Sequence, residues 1–467
     1  MQLLAAALVI FAANLRADSG ANRREAALSS NIPPIVFVQT LRITGPTGVD
    51  RFPEGSRIAL LEPNARNERA RVLTEGFFAS ADPQISFTGE RILFAGQKLR
   101  GDHWQIWEMN VHGSEARQIT KCEMDCVRPV YLPGNEIAFT SVSTASGHKQ
   151  SSLEVAQLDG ANAHAITYGP GDWWMEAVLR DGRIVASANS PLADAQAGGN
   201  RLLYTMRPDG TGLESLRCEH ALRADRGEAS ELEDGAIVFT ENGGILMSVK
   251  KGALHGEKID APGSAYRSPS GLPNGAMVVA RQAAIGQRYQ LSVVEREGGG
   301  VRTIHADPKF DNVEPVALAS RPVPKKFWST LIPGSATGYF ISLDTANSMD
   351  KALKPGTIRR VRVIERTASG EVVLGEAAVE SDGSFYVQVP SNLPVRFVLL
   401  DERGTVIHEE RSWIWTRPGE QRGCTGCHGD KALAPQNRWP VVLRKPDPPT
   451  RLGVAEGDTQ TVESHGH

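Results

Sequence analysis

A repeated pattern of short apolar segments constrains the fold of this chain more than any other feature. Between about residues 32 and 320, apolar runs alternate with turn residues, and the clearest copy spans residues 82–120. The glycines of the first turn in each copy, at positions 89, 134, 182, 235 and 275, are separated by 45, 48, 53 and 40 residues. This spacing is typical of a four-stranded propeller blade.

The two ends of the repeated region complete each other. Residues 35–40, 58–62 and 71–74 resemble the second, third and fourth strands of a blade with no first strand before them. Residues 313–318 resemble a first strand with nothing after it. Joined, they form a sixth blade and leave no open sheet edge. We therefore predict a six-bladed β-propeller over residues 32–320; an open β-sandwich with irregular hairpins is the alternative.

Composition and charge narrow the classes of function. The 467 residues include 46 glycines and 28 prolines, and only 6% are aromatic, which suits many short strands joined by turns. The formal net charge of −3 gives no overall attraction to nucleic acid or to an anionic membrane. The expected macromolecular partners are therefore proteins, and no nucleic acid is expected.

A second β domain is predicted after the proline-rich linker 321–325. Residues 326–415 contain five candidate strands, at 358–365, 371–379, 384–389, 395–400 and 404–409. Turns with glycine separate several of them, as in a small immunoglobulin-like or transthyretin-like β-sandwich. Residues 416–445 then form a C-terminal segment, and the polar residues 446–467 are predicted to be disordered. The predicted fold class is all-β.

The C-terminal segment contains the only C-x-x-C-H sequence of the chain, from Cys424 to His428. This spacing lets Cys424 and Cys427 form thioethers with one porphyrin, and His428 is placed to coordinate its iron. A redox dithiol is one alternative, although that motif usually opens a helix in a βαβ unit. Half of a zinc site is another, with only His465 and His467 as later ligands. We predict one covalent haem c.

The motif does not indicate which residue is the second axial ligand of that haem. No methionine follows His428, so the usual downstream thioether ligand is missing. The candidates are His408, at the end of the last predicted sandwich strand, an upstream methionine and a tail histidine. For His408, a solvated histidine at a strand edge is the alternative. Aromatic and basic side chains near the motif offer porphyrin or propionate contacts, with core packing and solvent exposure as the respective alternatives: Trp413, Trp415, Trp439, Arg417, Arg422 and Arg438.

The N-terminus resembles a secretory signal over residues 1–17. The apolar run from Leu3 to Ala13 is too short to span a bilayer, although no basic residue precedes it. We expect an exported, periplasmic protein with no transmembrane segment. In an oxidising compartment Cys122 and Cys126, four residues apart, are expected to form a disulfide. Cys218 is then left as a buried thiol.

Several motifs together resemble one family. The copy at 82–120 resembles the TolB-type WD40-like repeat, residues 379–385 read Val-Glu-Ser-Asp-Gly-Ser-Phe, and residues 417–428 read R-P-G-E-Q-R-G-C-T-G-C-H. In this order the parts resemble the hydrazine synthase alpha-subunit-like proteins over nearly the whole mature chain. The resemblance implies c-type haem and a multi-subunit assembly. It also implies a tyrosine ligand shortly after the motif histidine, but here Gly429, Asp430, Lys431 and Ala432 follow His428.

Three functions are compatible with these features. The first is an exported monohaem c-type cytochrome-like protein that passes single electrons to a redox partner, with the propeller as docking scaffold. The alternative is a haem-dependent oxidoreductase, similar to hydrazine synthase, that acts on small nitrogen or oxygen species. The third is a binding propeller with an auxiliary haem, in which Trp173 and Trp174 line the channel mouth or belong to the core. A homo- or hetero-oligomer is compatible with each, and the sequence assigns no catalytic residue.

Overall fold

The computed structural model of the chain confirms the all-β fold class. It describes residues 32–44, 49–63, 70–145, 148–189, 201–216, 224–250, 253, 256–259, 264–295, 300–348, 350–351, 353–410, 413–426 and 439–454. Within these ranges the strands form eight four-stranded sheets. Helical structure there is limited to a 3₁₀ turn, Val49–Arg51, and one short α-helix, α1, Val441–Arg444.

Six of the eight sheets are the blades of a propeller, and in blades 1 to 5 the strands follow chain order from the inner to the outer edge. The strands of blades 1 to 3 are β4 Ala79–Ile85, β5 Arg91–Gln97, β6 Gln105–Asn110, β7 Arg117–Gln118, β8 Asp125–Leu132, β9 Glu136–Ala145, β10 His148–Gln157, β11 His164–Ala165, β12 Trp173–Val178, β13 Ile184–Asn189, β14 Arg201–Met206 and β15 Glu214–Ser215. The strands of blades 4 and 5 are β16 Arg226–Glu231, β17 Ile237–Glu241, β18 Ile245–Val249, β19 Glu257–Lys258, β20 Ala265–Gly271, β21 Met277–Gln282, β22 Gln290–Val294 and β23 Val301–His305.

The sixth blade joins the two ends of the repeated region, as the sequence predicts. Its strands are β24 Asp311–Ala317, β1 Ile35–Thr40, β2 Arg57–Leu61 and β3 Arg71–Val72. The inner strand β24 pairs antiparallel with β1, from Ile35 opposite Ala317 to Thr40 opposite Asp311. Because this pairing joins residues 271 to 282 positions apart, from the two ends of the repeated region, it closes the ring and leaves no unpaired inner edge.

The inner strand of every blade contains a β-bulge at the same position. In five of the six, a non-glycine residue there has φ between 47° and 57°, a strained conformation: Asp82, Arg128, Glu228, Ser268 and Glu314. The bulges turn these residues toward the propeller axis. Their strain is offset by hydrogen bonds that run from blade to blade.

Carboxylates at the bulges accept these bonds from the backbone of the next blade. The amide nitrogen of Asp82 donates to Glu314 at 2.8 Å, and that of Arg128 donates to Asp82 at 3.0 Å. The amide nitrogen of Ser268 donates to Glu228 at 3.2 Å. Buried carboxylates therefore fasten neighbouring blades to one another around the axis.

The remaining two sheets form a β-sandwich. One has the order β31-β25-β28-β32 and the other the order β27-β26-β29-β30. Their strands are β25 Thr337–Ser342, β26 Arg360–Thr367, β27 Gly370–Ala378, β28 Phe385–Pro390, β29 Val395–Leu400, β30 Val406–Glu409, β31 Gln421–Cys424 and β32 Thr450–Arg451. The rings of Phe340 and Phe397 meet between the sheets with centroids 5.1 Å apart.

Three predictions about the C-terminal third need correction. Strand β25 was not predicted, although it lies in the middle of its sheet. The predicted boundary at residue 415 is wrong, because β31 (421–424) is an edge strand of the sandwich. The disordered tail was also predicted to begin too early, at 446. Strand β32 pairs with β28 in parallel, and Leu452 is only 4% exposed in the sandwich core.

The signal sequence predicted at 1–17, Cys218, Arg438 and the tail histidines His465 and His467 lie outside the described residues. Within the described ranges, no helix has the length and apolar character needed to cross a membrane.

Candidate functional site

The C-x-x-C-H motif begins at the C-terminal end of the edge strand β31. Cys424 is a free thiol there, whereas Cys427 and His428 lie outside the described residues. Burial raises the pKa of the Cys424 thiol; nearby Arg422 lowers this pKa and Glu410 raises it. The pKa is raised on balance, so the thiol is protonated at neutral pH. A free, half-buried thiol suits attachment of a porphyrin.

Close backbone packing fixes the first residues of the motif. The amide of Leu343 donates to the Cys424 carbonyl at 2.9 Å, and the Asn347 side-chain amide donates to the Thr425 carbonyl at 3.1 Å. A Cβ atom on Gly426 would collide with the Asn347 carbonyl oxygen. The glycine between the two cysteines is therefore required by this contact, which seats the motif on the loop after β25.

The residues before the motif attach β31 to the propeller. The Arg417 guanidinium donates to the Asp209 carbonyl at 2.8 Å and contacts the Tyr168 hydroxyl. The Glu420 carboxylate accepts hydrogen bonds from the amide of Arg417 at 2.8 Å and from the amide of Gly212, in blade 3, at 3.2 Å. The R-P-G-E sequence at residues 417–420, which precedes the C-x-x-C-H motif, thus bridges the two domains.

Arg422 extends the same bridge into the strand itself. Its guanidinium donates to the carbonyls of Trp415 at 3.0 Å and of Leu213, in blade 3, at 2.7 Å. Solvent exposure was the default expectation for Arg417 and Arg422, and the structure corrects it for both. These arginines hold the candidate site against the propeller, and no sequence pattern indicated that role because their partners are distant backbone carbonyls.

The tryptophans near the motif have separate roles. Trp415 is 1% exposed and packs against Trp173 at 5.5 Å between ring centroids, so it belongs to the interface between the domains. Trp413 is buried beside Arg396, whereas Trp439 is 69% exposed. Trp173 and Trp174 are both buried in the propeller, which agrees with core packing rather than a free channel mouth.

His408 lies on β30, the edge strand of the other sandwich sheet. Its Nδ1 is 3.0 Å from an Asp350 carboxylate oxygen, and its side chain is 17% exposed. Asp350 belongs to the same loop that holds Thr425 and Gly426. This contact excludes a simply solvated histidine, and the assignment of His408 as an axial ligand stays a prediction.

The other predicted cysteine pair is far from this site. Cys122 and Cys126 form a disulfide between blades 1 and 2, with Cα atoms 6.7 Å apart. The side-chain amide of Gln105 bonds to both the carbonyl and the amide of Cys122, each at 2.9 Å. The disulfide therefore belongs to the propeller scaffold.

A second concave site, the propeller channel, is lined by the inner strands of all six blades and by the linker after β24. The ionisable groups at the bulges of its inner strands are largely buried, and they contact oppositely charged side chains. Arg51 contacts both Asp82 and Glu314, and Arg267 lies 2.9 Å from Glu228. Burial and the neighbouring Asp82 carboxylate raise the pKa of Glu314 to about 7, against the opposing effect of Arg51. These charges serve contacts between blades.

No group of three or more histidine, cysteine or acidic side chains suited to a metal ion occurs among the residues that the structure describes.

Fold and site together define a class: a six-bladed β-propeller fastened to a β-sandwich whose edge strand opens a C-x-x-C-H motif. Comparison with known proteins narrows this class. Residues 345–429 match the model of the family described as "Hydrazine synthase alpha subunit middle domain". Hydrazine synthase subunit alpha of Kuenenia stuttgartiensis is 23% identical, over 81% of this chain and 63% of the relative. In sequence the chain is thus similar to the hydrazine synthase alpha subunit, most specifically over residues 345–429.

The solved hydrazine synthase of Kuenenia stuttgartiensis agrees in fold, with a TM-score of 0.76 at 21% identity, covering 89% of this chain and 72% of that one. A TolB structure from Acinetobacter baumannii has a TM-score of 0.46, covers 63% of this chain and 67% of its own, and is 15% identical. The present chain spans 63% of the length of the curated relative. The comparisons favour the alternative similar to hydrazine synthase over the electron carrier, for which they give no support.

Proposed function

We propose that the chain is the haem-bearing, alpha-like subunit of an oxidoreductase acting on small nitrogen or oxygen compounds. Cys424 and Cys427 would hold one haem c through thioethers, and His428 would be an axial ligand of its iron. The observation that carries this proposal is the free Cys424 thiol, presented on a strand fixed between two domains, inside the region matched to the hydrazine synthase alpha middle domain.

The bound haem would supply a redox-active iron, and the residues of this chain would position it. Arg417 and Arg422 would keep β31 from moving relative to blade 3, because each donates to a carbonyl of that blade. Gly426 would keep the motif against the loop after β25. If β31 moved relative to the propeller, the distance between the haem and its redox partner would vary. Holding β31 in place would keep that distance constant, which favours electron exchange.

The proposal includes an exported location and other protein subunits. Haem attachment to C-x-x-C-H takes place outside the cytoplasm in c-type cytochromes, which agrees with the signal-like residues 1–17. The curated relative is named as a subunit, and a hetero-oligomer containing this chain is part of the proposal.

The central test is covalent haem. The full chain would be produced in a strain with c-type maturation and extracted with acid acetone. We expect colour that stays with the protein, at one haem per chain, and its loss in Cys424→Ala. Cys122→Ser, which alters the propeller disulfide, is the matched control and should keep the haem. Colour that extracts from the wild-type protein would overturn the proposal.

The enzymatic part needs a separate measurement. Nitric oxide, hydroxylamine and hydrogen peroxide would be titrated into the ferric and ferrous protein, alone and with co-purifying subunits. We expect a shift in the haem spectrum and turnover with at least one nitrogen compound or peroxide. A haem that responds only to electron donors and acceptors would instead support the electron carrier.

A further inference from the structure

The two sandwich edges that carry Cys424 and His408 lie on the same side of the domain. Phe340 of β25 and Phe397 of β29 pack together, so these strands face each other. Strand β31 lies beside β25, and β30 lies beside β29. On the opposite side, Gly375 of β27 lies against Leu452, next to β32. The two sheets are therefore stacked with β25 opposite β29 and β32 opposite β27. This alignment places β30 opposite β31 across the sandwich.

His408 points into the space between the sheets. It pairs directly with Leu399, a residue of the sandwich core, and directly paired residues share one face of a sheet. The adjacent Glu409 contacts Arg396 on the other face of that sheet. Alternation along the strand thus places the imidazole on the inner face.

Cys424 points into the same space from the other sheet. Arg422 pairs with the core residue Phe340, and its guanidinium lies 5.9 Å from the centre of that ring. Cys424 lies two residues further along β31, opposite Ser342, and so shares this inner face. Packed sheets are about 10 Å apart, and the Cys424 thiol and the His408 imidazole both extend into the space between them.

One loop connects the two groups at the same end of the sandwich. Leu343 and Asn347 bond to the backbone of Cys424 and Thr425, at 2.9 and 3.1 Å. Asp350 in the same loop holds His408 Nδ1 at 3.0 Å. Three residues span at most about 11 Å, so Asp350 cannot lie far from the motif. The loop fixes the imidazole relative to the site of haem attachment.

We propose that His408 is the second axial ligand of the haem held by Cys424 and Cys427, with Asp350 as its positioning residue. An imidazole is a common haem ligand, and ligating histidines usually donate their other ring N–H to a carboxylate or carbonyl. Neither a methionine nor a tyrosine follows His428, and the later histidines are His465 and His467 in the polar tail. This proposal rests on the covalent haem of the proposed function.

The consequence concerns access to the iron. With two imidazole ligands the iron would have no open coordination position, and a small molecule would bind only by replacing His408. His408 would therefore determine how tightly the protein binds exogenous ligands. This adds control of the haem to the proposed function and leaves the attachment chemistry unchanged.

The test is the spin state and ligand affinity of the haem in the full chain. We expect a low-spin ferric wild-type protein whose ferrous form binds carbon monoxide weakly. His408→Ala should become high-spin and bind azide at least about tenfold more tightly. Free imidazole should restore the low-spin spectrum. Asp350→Asn should shift azide affinity in the same direction, by roughly tenfold or more, as changes at outer partners of metal ligands do.

His103 provides the matched control, because its Nδ1 also contacts an aspartate, Asp125 at 3.3 Å, but in the propeller. His103→Ala should leave the spectrum and azide affinity unchanged. A covalent haem that stays low-spin in His408→Ala would overturn the assignment while leaving the proposed function intact. A high-spin wild-type ferric protein would overturn it even if the variant fails to fold. Absence of covalent haem would overturn both proposals.

Discussion

The propeller and the sandwich are built from the same unit, a four-stranded sheet, but they treat its edges differently. The propeller joins β24 to β1 and so closes on itself. The sandwich leaves edges, and one of them is occupied by the strand that opens the C-x-x-C-H motif. The closed domain thus has no free inner edge, and the open one carries the first residue of the C-x-x-C-H motif on an edge strand.

Buried ionisable groups also differ between the propeller and the sandwich. Around the propeller axis, carboxylates contact arginines or backbone amides of the neighbouring blade. Such contacts hold blades together, because a buried charge without a partner is costly. At the sandwich edge, Cys424 is a free thiol, and the imidazole of His408 lies 3.0 Å from the Asp350 carboxylate. Ionisable groups therefore join neighbouring blades in the propeller, whereas in the sandwich they lie on edge strands and on the loop after β25.

The largest expected effect comes from separating the two domains. Trp415→Ala would remove packing against Trp173 and Tyr168 and the hydrogen bond from the indole to the Gly210 carbonyl, at 3.2 Å. Loss of a buried aromatic side chain costs about 3–5 kcal/mol. Urea unfolding followed by circular dichroism should show this loss.

The matched control is Trp439→Ala, since Trp439 is 69% exposed. Its effect on the free energy of unfolding should stay within about 0.5 kcal/mol. Equal losses in the two variants would contradict the assignment of Trp415 to the domain interface.

An intermediate effect should appear as pH dependence of the propeller. Because the pKa of Glu314 is raised from 4.5 to about 7, its contribution to stability is full below about pH 4.5 and is lost as pH rises through 7. Over this range the free energy of unfolding of the wild-type protein should fall by about 1–3 kcal/mol relative to Glu314→Gln.

Glu228→Gln is the opposing control. Burial favours a higher pKa for Glu228, but Arg267 and other donors lower it overall. Its contribution should therefore be present above the unfolded pKa and be lost as pH falls. If both variants changed the pH dependence of the free energy of unfolding in the same direction, the assignment of a raised pKa to Glu314 and a lowered pKa to Glu228 would be wrong.

The smallest expected effect is that of the propeller disulfide. Cys122→Ser with Cys126→Ser would open a loop with a sequence separation of 4, which contributes about 2 kcal/mol or less. Gln105 would still hold the loop through Cys122. Thermal unfolding with and without reductant should show a smaller change than Trp415→Ala. A larger change would mean that the disulfide stabilises the protein more than the domain interface does.

Much of the fold follows from local patterns in the sequence. Evenly spaced glycine turns and apolar runs predict the blades, and the unmatched strands at 35–40 and 313–318 predict the closed ring. The short strand β25 was missed because it follows a proline-rich linker and its pattern is brief. Strand β32 was missed because a two-residue strand in a polar tail is formed only by its pairing with β28.

The sequence by itself determined the repeat, the ring and the identity of the thiols in the C-x-x-C-H motif, because each depends on spacing within one stretch of chain. Only the tertiary structure decided that Arg417 and Arg422 hold β31 to blade 3, and that His408 faces Cys424. These relations depend on strand register and on which sheet edges meet. Residues far apart in the chain are brought together by packing, and their individual identities carry no local record of that contact.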